Sequence, residues 1–184
     1  MPAEWTSALT LTREEWVTLT SIADAVVPGS PDDPGAVEAD CVLYVDRSLA
    51  GAYATLTPLY RAGLAQLDEL AAARHRERFA ALDLDQRVAL LRELSLVFFG
   101  AKEADDVSPE LAELAEQARE HVLEGLFADP LYGGNRDLIG WRLVGFPGAQ
   151  WGYSPDQRAF DFDATQIEPK TLGELVAETD GSSS

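Results

Sequence analysis

Histidine and cysteine are nearly missing from this chain, with two and one among 184 residues. The lone Cys41 excludes an internal disulfide and any zinc or iron–sulfur site built from cysteines. A di-iron bundle needs a glutamate three residues before each histidine ligand. Those positions before His75 and His121 hold Ala72 and Ala118, so that site is not encoded. Neither histidine sits in the strand-turn or glycine-rich context of a serine triad. No G-x-G-x-x-G follows a strand pattern, and P-loop and C-x-x-C-H motifs are absent. No apolar run approaches the roughly 18 residues that span a bilayer.

Positive charge is scarce as well. Fourteen basic residues face 32 acidic ones, for a net charge of −18. Such a field repels phosphate backbones, which excludes nucleic acid as a partner, and it disfavours anionic membrane surfaces. It favours solubility and steers basic partner surfaces. The first residues, "MPAEWTSALTLTREEW", carry no basic n-region, apolar h-region or twin arginine. A cytoplasmic protein is expected from the sequence as written, or a periplasmic one if a signal is removed or supplied by a partner.

What is present is helical periodicity. Apolar residues make up 46% of the chain, a globular composition. Thr12 and Glu15 stand in capping-box spacing ahead of a stripe of Trp16, Leu19, Ala23, Val26 and Val27, and Pro28 closes the segment. A second helix is expected from Asp33 as cap and Pro34 in its first turn, with Val37, Cys41, Tyr44, Val45 and Ser48 on one face. Cys41 on that stripe reads as a small hydrophobe. A third helix runs over 54–79 with Pro58 near its start. The fourth, "LDQRVALLRELSLVFFG", is apolar around much of its circumference, the pattern of a helix that is central or covered on two sides. The fifth begins with Ser108 as cap and Pro109 at its first position. No strand pattern or internal repeat appears. The fold class is therefore all-α, an irregular bundle of about five helices plus a short helix and an extended, aromatic-rich C-terminal arm. Residues 1–148 form the helical domain and 149–184 the arm, with the final "DGSSS" expected to be disordered.

The character changes after Phe127. "DPLYGGNRDLIGWRLVGFPGAQWGY" concentrates glycine, proline and aromatics. Gly133 and Gly134 allow a sharp turn, and Asn135 can cap the short helix that follows, with Asp137 near its positive end. A tight connection between helices accounts for the glycines and Asn135 but not for the rings. Tyr132, Trp141, Phe146, Trp151 and Tyr153 follow no helical period. Either the segment folds back to cap one end of the bundle, or it presents rings to another chain, since aromatics are enriched at interface centres. Both hold if the rings divide between the two tasks. "FDFDATQIEPKTLGELV" then mixes acids with rings, as suits an arm lying along a partner.

Together, "PGAVEADCVLYVDRSLA" and "FFGA…REHVLEGLFADPLYGGNRDLIGWRLVGFPGA" resemble the gluconate 2-dehydrogenase subunit 3 family. The most specific part is "DPLYGGNRDLIGW" with "GFPG", which helix composition alone would not produce. The resemblance implies a small accessory subunit that binds and stabilises a large FAD-dependent dehydrogenase of the glucose–methanol–choline type. The partner would carry the FAD and oxidise a sugar or glycoside, with a cytochrome or other acceptor beyond it. This chain would hold no cofactor, no metal and no catalytic residue. Many relatives begin with a twin-arginine signal that this sequence lacks, which bears on an export role but not on stabilisation. The expected partner-binding residues are Tyr132, Gly133, Gly134, Asn135, Trp141, Phe146, Pro147 and Trp151. The alternative is a stand-alone small helical enzyme or ligand-binding protein, which would have to bring His121, Glu124 and Arg142 together.

Overall fold

A computed structural model describes residues 8–181, and among them it is helical with no strand. Helix α1 spans Arg13–Val26 and starts at the expected capping box: Glu15 N donates to Thr12 Oγ1 at 3.3 Å, and Thr12 N to Glu15 Oε2 at 2.7 Å. Helix α2 spans Cys41–Ala50. Its start corrects the expectation of Asp33 as cap and Pro34 in the first turn. The chain before Cys41 instead turns back onto the end of α1, where Ala36 N donates to Val27 O at 3.0 Å. Asp40 then takes a left-handed conformation with φ 57°, which breaks helical continuity immediately before Cys41.

Helix α3 spans Thr57–His75, with Pro58 in its first turn. Helix α4 spans Leu84–Phe98 behind a second capping box, Asp83 with Gln86. Helix α5 spans Pro109–Phe127 and is capped by Ser108, whose hydroxyl accepts from Leu111 N at 3.0 Å. The central place belongs to α5, which packs against each of α1 to α4. Its Leu111, Leu114, Val122 and Leu126 are buried, each worth about 2 kcal/mol on transfer from water. Helix α4 is covered on two sides, by α1 and α5, and a third stripe of Val88, Leu96 and Phe99 faces outward. That outward stripe explains its unusual apolar circumference without a central position.

Asp46 is the most constrained carboxylate of the core. It is fully buried on α2 and accepts from the backbone N–H groups of Leu9, Thr10 and Leu11 at 2.6, 3.0 and 2.8 Å. It thereby ties the entry to α1 across the bundle, and those three donors offset the cost of burying its charge.

The short helix α6 spans Ile139–Val144 and packs on α5. The arm is not extended throughout, as expected from its sequence. It contains 3₁₀ turns at Asp156–Arg158 and Ala164–Gln166, then helix α7 over Leu172–Gly181. A third capping box starts α7: Thr171 N donates to Glu174 Oε2 at 2.8 Å, and Glu174 N to Thr171 Oγ1 at 3.2 Å. Of the stretch expected to be disordered, Asp180 and Gly181 fall in α7, and 182–184 lie outside the described residues.

Candidate functional site

The C-terminal turn of α5 organises the unusual segment. Asn135 is completely buried and left-handed, with φ 49°. Its Nδ2 donates to Ala128 O at 2.8 Å, and its Oδ1 accepts from Gly140 N at 2.9 Å. One side chain thus joins the carbonyl end of α5 to the first turn of α6. A Cβ on Gly134 would collide with the carbonyl of Gly125, and one on Gly140 with that of Leu126. The backbones meet there with no room for a side chain. Arg136 locks the turn to the α1–α2 loop, with its N–H donating to Ala39 O at 3.1 Å and its Nε to Glu38 O at 2.9 Å. Asp137 and Leu138 are also left-handed, at φ 55° and 58°. Such conformations persist in non-glycine residues only where the surroundings enforce them.

The eight residues expected at an interface divide by orientation. Gly133, Gly134, Asn135 and Trp141 are buried within this chain. Trp141 donates its indole N–H to Phe127 O at 2.8 Å and meets Phe146 edge to face at 5.2 Å. Pro147 is half-buried, and its carbonyl accepts from Lys170 N at 3.3 Å. Tyr132, Phe146 and Trp151 point outward, at 60%, 46% and 70% exposure. In the free chain, then, four of the eight build the platform and three stand on its surface.

The same part of the chain exposes further apolar residues that sequence reasoning did not single out. Leu131, Leu143 and Val144 are exposed beside the turn and α6, and Phe160 in the arm is fully exposed. Leu143 and Val144 carried a weak signal, since they follow Trp141 in a helix too short to bury every face. The arm is fastened to this region. Gly148 bridges Lys170 in parallel, Arg142 pairs with Glu168 at 2.6 Å, and Leu172 N donates to Asp129 Oδ2 at 3.1 Å. Between α6 and the arm runs a cleft of about 170 Å³ lined by Trp141, Phe146, Thr165 and Ile167.

Of the chemistry-bearing residues of the alternative reading, His121 and Glu124 share one aromatic cluster through Tyr53, and Arg142 stands apart from them at the arm. His121 is buried, stacks on Tyr53 with ring centres 4.3 Å apart, and lies 2.8 Å from the Tyr60 hydroxyl through Nδ1. Burial lowers its pKa, with Glu124 and Glu120 opposing. Glu124 accepts from the hydroxyls of Tyr44 and Tyr53, both at 3.1 Å. Arg142 is committed to Glu168 in the arm. Burial, with the Asp40 charge second, pushes the Cys41 thiol up to about 12, so it stays protonated and inert at neutral pH. Among the described residues, no group of three or more histidine, cysteine, aspartate or glutamate side chains could hold a metal ion, and no helix is long and apolar enough to cross a membrane.

The model of one protein family, gluconate 2-dehydrogenase subunit 3, matches residues 13–148. The chain belongs to that family. The match runs from the first residue of α1 to the glycine that bridges Lys170, so it takes in the bundle, the buried Asn135 turn and α6. The family name describes a subunit of a dehydrogenase, a component of an assembly. The arm beyond Gly148 lies outside the match. Comparison with curated proteins and with solved structures returns no match.

Proposed function

We propose that this chain is a non-catalytic small subunit that binds and stabilises a large FAD-dependent sugar or glycoside dehydrogenase subunit of the glucose–methanol–choline type. The flavin and the oxidation belong to the partner, and a cytochrome or other acceptor takes the electrons from it. One observation carries the reading: in a subunit family, Leu131 and Tyr132 stand exposed beside the turn that Asn135 pins, with Leu143, Val144 and Phe146 exposed on and just after α6 and Trp151 at the start of the arm. Exposed apolar clusters of this kind mark interaction sites. The mechanism is contact. The rigid turn presents the rings with little ordering left to do, so their burial goes into affinity. A stable subunit interface would cover about 2,000 Å² in total.

Co-expression with a glucose–methanol–choline-type flavin oxidoreductase subunit from the same source tests this. The two should co-purify as one yellow species, and this chain alone should be colourless. Turnover, or a stoichiometric flavin or metal in the isolated 20.0 kDa chain, would sink it.

A further inference from the structure

The stretch 149–169 is built unlike the rest of the chain and begins where the family match ends. Its ends are fastened side by side: Ala149 N donates to Lys170 O at 2.8 Å, and Arg142 holds Glu168 at 2.6 Å. Between them the backbone is set by local polar turns. Ser154 N donates to Gln157 Oε1 at 2.8 Å, and Arg158 Nε to Tyr153 O at 3.0 Å. Asp163 Oδ1 accepts from the N–H and the hydroxyl of Thr165 at 3.0 and 2.6 Å. None of these bonds requires a buried ring, and three of the four rings are outside: Trp151 and Tyr153 are exposed and Phe160 is fully so, while Phe162 is half-buried. A loop that only returned the chain to Lys170 would need neither ordered turns nor outward aromatics. Charge completes the picture. Asp156 precedes Phe160 and Asp161 and Asp163 follow it in the sequence, and Arg158 is the one basic side chain between Gln150 and Pro169.

We infer that this stretch is a preformed docking finger. It carries Trp151 and Phe160 into apolar recesses of a partner surface rimmed by lysine or arginine, and so sets which flavoprotein the shared family scaffold accepts. The inference rests on the subunit reading above and adds the chemistry of the partner's surface. The charge argument selects a protein over a bilayer, because the acids beside Phe160 would be repelled by anionic headgroups. Opposite charges around apolar anchors speed encounter, while the buried rings slow release.

The test measures association and dissociation rates of the full-length chain on an immobilised glucose–methanol–choline-type flavin oxidoreductase subunit from the same source. Phe160→Ser should speed dissociation about 10-fold or more. Asp156→Lys with Asp161→Lys should slow association several-fold and flatten its fall with added salt. Both variants should keep the wild-type melting temperature, since the altered side chains are exposed. If either variant binds within about twofold of wild type while wild type binds well, the finger is wrong and the subunit reading stands. If wild type does not bind at all, both fall. Phe160-dependent binding to phosphatidylcholine vesicles would overturn the proposal in favour of a lipid surface.

Discussion

Replacing Asn135 with alanine separates a structural pin from a partner contact. The substitution removes two hydrogen bonds, from Nδ2 to Ala128 O at 2.8 Å and from Gly140 N to Oδ1 at 2.9 Å. Asn135 and Gly140 are buried and Ala128 is half-buried, so water replaces the lost partner poorly. Each buried group left unpaired costs about 1–3 kcal/mol. Alanine at φ 49° adds about 1 kcal/mol of left-handed strain that asparagine partly relieves. The expected loss is therefore about 3–7 kcal/mol, a large share of the roughly 5–15 kcal/mol that holds a domain together. Asn135→Gly keeps the backbone conformation available but restores neither bond. It should recover only about 1 kcal/mol of the loss. Urea titration of both variants and wild type, with slopes compared for two-state behaviour, measures the difference. An alanine variant within about 0.5 kcal/mol of wild type would refute the reasoning. So would alanine and glycine variants of equal stability, which would remove the conformational part. Unchanged stability with lost complex formation would make Asn135 a contact rather than a pin.

Trp141 and Trp151 should respond in opposite ways. Trp141→Ala empties a buried site and orphans Phe127 O, costing about 3–5 kcal/mol and roughly 10 °C in melting temperature. Trp151→Ala should leave the melting temperature alone and weaken binding of the flavoprotein; a lower melting temperature with unchanged co-purification would make Trp151 a core residue. Asp46→Ala strips the acceptor from three N–H groups and should cost about 3 kcal/mol or more by urea titration; stability within error of wild type would show that the segment at 9–11 does not depend on it. The pH response follows from His121, whose folded pKa lies below the ordinary 6.5 because it is buried. As pH falls through about 6.5 the unfolded chain takes up the proton first, so stability drops, and the drop levels off below the folded pKa. In His121→Gln the part of the slope near pH 6–7 should vanish, and an unchanged slope would assign it to other groups.

The bundle was legible because its helices announce themselves locally. The capping box at Thr12–Glu15 and the Ser108–Pro109 start are short-range signals that the structure bears out, and Asp83–Gln86 is another that sequence reasoning did not single out. Thr171–Glu174 was an equally local signal for α7, overlooked because the surrounding rings and acids drew the eye to an extended arm. The family was legible too, through the glycine, asparagine and tryptophan run from Asp129 to Trp141. What periodicity could not supply was direction and long-range closure. The start of α2 moved to Cys41 because Ala36 pairs with Val27, the residue just past the end of α1, a bond no local pattern encodes. Likewise, Trp141 and Trp151 have the same side chain in similar company, yet only one has a carbonyl of α5 within reach of its indole. Composition determined that rings would cluster near the end of α5; the packing of α6 and the arm against that end decided which of them are buried in the fold and which remain exposed.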